Sequence, residues 1–372
     1  MTILKNSIAS ISEELKDDYE KALAFVQEKQ AKNKAAISAY EKGDWTPLYE
    51  YQLFENQFAN EELDTGIFRS EDLKKDIGKM AIVASMEEKK WLLKHHVQPV
   101  FSGEFIVTIF HYWDEAHAFY QKEWEEANRK VDSSGLFSLY LYFNQYFYFV
   151  PMILFFLLLG GGLATDTGKK STLRFLMSQP LSLRHIFHGK VLSSFIVVLL
   201  SSTVIFASVL LIGTIFDRFG DWYYPILVYD SQSLANSANY NGTYVQGMGF
   251  HFTPLGHYLV KCIVLFLIVL LFLIILSTFC SLFIKNQLGV FMIVILLSAS
   301  GYVLSIEALS EVAHLSPFTY FNIVKIINGE VSTAHNNPHI NFMPGSIVLF
   351  ISSFVVMTIG HVVLRKYKNL TA

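Results

Sequence analysis

Five apolar runs, 18 to 27 residues long, follow one another after residue 135, at 146–164, 191–216, 258–284, 288–305 and 345–364. A helix needs about 20 predominantly apolar residues to cross the ~30 Å hydrocarbon layer of a bilayer. Nothing in that layer hydrates an open N–H or C=O, so a spanning backbone must satisfy itself as a helix or a closed barrel. Continuous runs without period-two alternation demand helices. The expected fold class is all-α: a polytopic helical membrane protein with five spans over residues 136–372, preceded by a helical segment over 1–135.

Composition supports that division. Hydrophobic residues make up 52% of the 372 and charged residues 16%, where soluble domains carry about a quarter charged. Residues 1–135 hold 17 Lys and Arg against 25 Asp and Glu, a balance of −8, whereas residues 136–372 hold 12 against 7, a balance of +5. No basic patch points to nucleic acid. Cys262 and Cys280 fall in one expected span, about 27 Å apart along a helix, too far to pair. They read as small apolar fillers.

Lys and Arg in short loops set orientation. Lys169, Lys170, Arg174, Arg184 and Lys190 lie between the first two runs, Lys285 between the third and fourth, and Arg365, Lys366 and Lys368 in the tail. The opposite loops carry Arg218, Lys261 and Lys325 beside Asp217, Asp221, Asp230, Glu307, Glu311 and Glu330. The expectation is a cell-membrane protein whose 165–190 loop and C-terminus are cytoplasmic. Five spans then leave residues 1–135 extracytoplasmic, and a further span is expected ahead of them.

The acidic segment reads as helices. Ser10 and Glu13 form a capping-box pattern, followed by Ile8, Ile11, Leu15, Ala22, Phe25 and Val26 at helical spacing. Gly43 ends that helix, Asp44 is placed to cap the next, and Pro47 is tolerated in its first turn. Further helices are expected from Ser70 and over 113–130. The segment reads either as a structural outer cap or as a sensor or substrate-capture domain.

The loop TDTGKKSTLRFLMSQPLSLRHIFHGK is where chemistry concentrates. Leu173, Leu176 and Met177 share one helical face, Pro180 breaks that helix, and Ile186 and Phe187 begin another. Such a kinked, basic, amphipathic segment can lie on lipid or dock into a partner. It can equally be a solvated loop that only sets topology, and the residues alone do not separate these readings.

The string Thr172, Leu173, Leu176, Ser178, Pro180, Leu181, Ser182, Ile186, Gly189 and Lys190, preceded by Asp166, resembles the first cytoplasmic loop of type-2 ABC transporter permeases, with Ser171 where that family often has Gly and Leu183 at its usual Arg. Residues 315–322, LSPFTYFN, resemble that family's LxPFxY segment. Gly43-Asp44-Trp45 with Tyr49 and Tyr51 is similar to outer domains of permeases from Gram-positive bacteria. The resemblance implies a six-span permease subunit of a bacterial exporter for peptides, lipids or hydrophobic drugs. It further implies a separate ABC ATPase subunit and a second permease subunit, in a homodimer or heterodimer. Asp166, Leu173, Arg174, Leu176, Pro180, Arg184, Ile186 and Lys190 would then form the ATPase-coupling surface, in contact with membrane lipid. Pro317, Phe318, Tyr320 and Phe321 would belong to an extracellular gate, against the plainer reading of interfacial aromatic anchoring.

Other motifs carry less. Gly168-Lys169-Lys170-Ser171-Thr172 lacks the earlier glycine and the Ser or Thr placement of a phosphate loop, so no catalytic residue is assigned and the chain is not expected to be an enzyme. His335 and His339 lie in a loop-like stretch without a third ligand, so no metal and no cofactor are expected. Gly160-Gly161-Gly162 reads as a packing seam. The spans hold no deep carboxylate of the kind that ion-coupled carriers bury. The rival from another class is a non-transporting membrane sensor or immunity protein.

Overall fold

The structure, a computed structural model, describes residues 2–65, 79–98, 100, 105–109, 125–166, 182–245, 247–308 and 310–371. It divides into two compact units, Met1–Val131 and Asp132–Ala372.

In the first unit α1 (Thr2–Tyr40) and α2 (Thr46–Thr65) are joined by a turn in which Gly43 takes φ 74°. Asp44 Oδ1 accepts the Thr46 N–H at 3.1 Å, one of the donors that a helix start leaves open. Phe25 of α1 stacks on Phe54 and Phe58 of α2, and Lys29 pairs with Glu55. A third helix, α3 (Lys79–His95), packs on α2 and buries Met80, Ala81, Ile82, Ala84 and Leu92. Ser85 Oγ accepts the Ile106 N–H at 2.7 Å. Glu88 is buried and meets both Lys89 and Lys130, as a buried carboxylate requires. The expected helix start at Ser70, and residues 113–124 of the expected last helix, lie outside the described residues.

The second unit opens with α4 (Gly135–Asn144) and α5 (Phe149–Leu159), bent by 69° to one another. The first apolar run was expected as one span over 146–164; α-helix covers only Phe149–Leu159 of it, and at its start the chain turns at 145–148, with Tyr146 at φ 61°, to meet α4. Pro151 supplies a reason. Its ring excludes a helical carbonyl four residues earlier and is tolerated only in a first turn, so the helix restarts just ahead of it. Phe143, Tyr148, Phe206 and Phe266 lock the bend as an aromatic cluster with centroids 5.5–6.5 Å apart. A 3-10 turn, Gly162–Asp166, follows.

The remaining long helices are α6 (Leu183–Phe216), α8 (Leu255–Cys280), α9 (Gln287–Val303) and α12 (Phe342–Thr371). Among the described residues four helices are long and apolar enough to cross a membrane, or five if the bent pair is one span. Helix α8 is the core. Of its most apolar stretch 67% is buried, against 17% in α6 and α9 and 22% in α12, and it packs on α6, α9 and α12. The outer faces of those three expose Leu200, Ile215, Leu296 and Phe354, surface that water would penalise and lipid accepts. Exposed hydroxyls on these faces bond back to their own helix, as Thr203 does to Leu199 O, Ser300 to Leu296 O and Thr358 to Phe354 O, so these three do not face hydrocarbon bare. Helix α4 crosses α6 at glycines: a Cβ on Gly213 would lie 2.7 Å from Gly135 Cα.

Between α6 and α8, where a plain loop was expected, stands a three-stranded antiparallel sheet. Strands β1 (Pro225–Asp230), β2 (Thr243–Val245) and β3 (Met248–Pro254) lie in the order β1-β3-β2, with Val228 opposite His251. Between β1 and β2 lies a short helix, α7 (Gln232–Ala235). Buried Asp230 accepts the Tyr240 hydroxyl at 2.7 Å and lies 2.9 Å from His251 Nδ1. Burial, and then the Asp230 carboxylate, hold the Tyr240 hydroxyl well above its ordinary pKa, so it stays a donor. Strand β3 runs straight into α8, whose Leu255 and Gly256 N–H groups bond to Tyr224 O and Trp222 O.

Candidate functional site

Two ends of the transmembrane unit and one cavity between them carry the candidate chemistry. At the first end the 3-10 turn is pinned to the close of α8, with the Leu163 N–H donating to Ser281 Oγ at 2.9 Å. Gly162 there takes φ 50°, and a Cβ on it would strike Ser281 and Thr278. Asp166 closes this turn. Leu173, Arg174, Leu176 and Pro180 lie outside the described residues. The chain re-emerges at Ser182, whose Oγ accepts the His185 N–H and caps α6. Arg184, Ile186 and Lys190 therefore sit on the first two turns of α6, all half-buried. Phe187 between them is fully buried, and Gly360 of α12 gives it room: a Cβ on that glycine would lie 3.2 Å from Phe187 Cζ. Sequence reasoning missed this seat. Its signal was a glycine within an apolar run, which permits close approach.

At the other end the chain leaves α9 through a π turn, Leu304–Ala308, and 3-10 turns Ser310–Leu315 and Pro317–Phe321, then forms α10 (Ile323–Ile327) and α11 (Glu330–Ala334). The structure brings Pro317, Phe318, Tyr320 and Phe321 onto one turn. Pro317 opens it, where a missing N–H costs nothing. Tyr320 is fully buried against Gly345, its hydroxyl donating to His314 O at 2.8 Å. Phe318 fits over Gly301 of α9 and meets Phe272 of α8 and Phe321 edge-on, at 5.8 and 5.7 Å. The link between α10 and α11 is tied to the sheet, since the Tyr229 N–H donates to Asn328 O at 2.8 Å and Gly329, at φ 80°, passes too close to Tyr229 O for any side chain. His314 and His339 face each other here at 5.3 Å. Among the described residues no group of three or more His, Cys, Asp or Glu could hold a metal.

A cavity of about 360 Å³ lies between α5, α8 and α9, within the range of small-molecule sites. Phe149, Met152 and Phe156 of α5 face Leu273 of α8 and Phe291 and Val294 of α9. Ser298, Tyr302 and Asn322 supply its few polar groups, and Phe321 closes part of the wall. Ser298 Oγ is buried and has no hydrogen-bond partner. Burying such a hydroxyl unpaired is costly, so the cavity offers one unused donor and acceptor. Of these lining residues the sequence singled out only Phe321, with Asn322 at the end of the same motif. The others belong to apolar runs, where cavity lining and core packing look alike.

Comparison with known proteins agrees with this architecture. A family profile described as ABC-2 family transporter protein matches residues 113–362. No curated protein and no solved structure matches. The profile covers well over half of the chain, including the bent pair, α6, α8, α9, the aromatic turn and α12 as far as residue 362. The chain belongs to the ABC-2 transporter family and is a type-2 ABC transporter permease, the membrane component of such a system rather than its catalytic one.

Proposed function

We propose that this chain is the membrane subunit of an ABC exporter, driven by a separate ATPase subunit and paired with a second permease, and that its cargo is apolar: a peptide, a lipid or a hydrophobic drug. The observation that carries this reading is the apolar cavity against Phe321, in a chain of the permease family. The basic end faces the cytoplasm and residues 1–135 face outward, following the Lys and Arg asymmetry. The ATPase docks on the surface from Asp166 through Lys190. Its closure on nucleotide shifts the permease between two arrangements only because it contacts them differently.

Phe318 and Phe321, both half-buried and edge-packed, form the movable part of the gate. Tyr320, fully buried with its hydroxyl tied, anchors the turn. The cavity holds the apolar body of the cargo, and Ser298 supplies a hydrogen bond.

The test is ATP-driven movement of a lipophilic fluorescent dye in vesicles containing the chain with its co-purified ATPase. Transport should depend on ATP and stop in Ser298→Phe, which fills the cavity. ATP-driven transport undiminished in Ser298→Phe would remove the cavity from the pathway, and no ATP-dependent movement of any hydrophobic probe would refute the reading.

A further inference from the structure

At the basic end α6 and α12 run antiparallel and touch where Phe187 seats on Gly360. Beside that seat each helix presents a pair of cationic or cation-forming side chains one turn apart: Arg184 and His188 on α6, His361 and Arg365 on α12. Residues four apart share one helix face. The His188 and His361 rings lie 6.0 Å apart, and the charged groups acting on His361 are Arg184, His188 and Arg365. Among the described residues no carboxylate pairs with Arg184 or Arg365, so two guanidinium groups converge on a pair of imidazoles without a counter-ion.

The same two faces continue into the bilayer as exposed apolar surface. Leu192 and Ile196 stand one and two turns beyond His188 on α6, and Phe354 stands two turns from His361 on α12. A concentrated positive pole over an apolar track has the polarity of a lipid: phosphate at the end, acyl chains along the helices. Guanidinium groups match phosphate oxygens in pairs, and basic pockets between helices at a membrane face hold anionic headgroups.

We propose that the α6–α12 seam binds one anionic phospholipid, its phosphate held by Arg184 and Arg365 with His188 and His361 beside it, and its chains on Leu192, Ile196 and Phe354. The lipid neutralises the convergence of charge and clamps the start of α6. This site does not depend on which cargo is carried, nor on which end faces the cytoplasm.

The test is native mass spectrometry of the full chain in detergent, titrated with equal amounts of phosphatidylglycerol and phosphatidylcholine. The wild-type chain should retain one phosphatidylglycerol in preference. Each guanidinium removed should weaken that preference about fivefold, so Arg365→Gln loses about fivefold and the Arg184→Gln, Arg365→Gln pair about 25-fold. Arg365→Lys should keep most of it, and Lys261→Gln, at the opposite end, should keep all of it. Gel-filtration profiles identify any variant that fails to fold, and the Lys variant then carries the comparison. Equal retention of the two lipids by the wild type would overturn the proposal. So would displacement of bound lipid by free glycerol phosphate, which would mark a small-anion site. An Arg365→Gln chain that keeps its lipid preference but no longer captures the ATPase subunit would overturn it in favour of a protein contact.

Discussion

Ser298 gives the sharpest mutational test of the cavity. Its Oγ is buried with no partner, while Ser300, two residues on, donates to Leu296 O at 2.7 Å. A buried hydroxyl without a partner costs about 1–3 kcal/mol, and a made hydrogen bond contributes about 0.5–1.5 kcal/mol. Ser298→Ala removes the unpaired atom and enlarges an existing cavity by one oxygen, so empty protein should gain about 1 kcal/mol. Ser300→Ala should lose about that much. In a domain of this size 1 kcal/mol moves the melting temperature by about 2–4 °C. Cys262 and Cys280 are free and buried, so a thiol-reactive dye that fluoresces on labelling reports unfolding directly. The two alanine variants should move in opposite directions. With cargo bound the gain at Ser298 is cancelled, because cargo that satisfies the hydroxyl in the wild type loses about fivefold in affinity for Ser298→Ala, the equivalent of ~1 kcal/mol. Equal destabilisation of Ser298→Ala and Ser300→Ala would show that the Ser298 hydroxyl is already satisfied, and the polar pole of the cavity would go with it.

The other predictions probe the frame around that site. Gly213→Leu should destabilise the unit by about 1–3 kcal/mol or more, because its side chain meets the Gly135 backbone rather than a movable group; an unchanged melting temperature would mean that α4 does not cross α6 there. Asp230→Ala should expose residues 225–254 to limited proteolysis at a cost of about 1–3 kcal/mol, since Tyr240 keeps only Phe250 O at 3.1 Å and Thr243 O at 3.4 Å while His251 loses its acceptor. Asp230→Asn, which retains an acceptor, should be cut much more slowly, and equal cutting rates would contradict the network. Leu176→Asp should abolish capture of the ATPase subunit from detergent while leaving membrane insertion intact; undiminished recovery would take the 173–190 surface out of the coupling.

The spans were legible because a bilayer asks for length and apolarity, and both are written locally. Runs expected at 258–284, 288–305 and 345–364 appear as Leu255–Cys280, Gln287–Val303 and Phe342–Thr371. The run expected from 191 begins instead at Leu183, because a basic amphipathic turn extends a span as readily as it starts a separate helix. The bend at 145–148 was not read, although Pro151 marks it, because it falls where the first run begins and the ten-residue helix before it, Gly135–Asn144, is too short to read as part of a span. The sheet was missed for a different reason: β1 buries Pro225, Ile226, Tyr229 and Asp230 and not alternate residues, so the period-two signal of a half-buried strand is absent. The aromatic turn was placed from LSPFTYF alone, but which ring is tied down and which is free depends on Gly301, Gly345 and His314, all distant or silent in sequence.

We propose that this permease carries no energy source of its own and is worked through its basic face. Gentle extraction of the tagged chain from its native membrane, with identification of what comes with it and measurement of nucleotide hydrolysis, tests that claim directly. An ATPase subunit should be recovered in stoichiometric amount, with all hydrolysis lost when that subunit is stripped away. Hydrolysis retained by the isolated chain, or recovery of the chain from intact membranes with no nucleotide-binding protein at all, would contradict it.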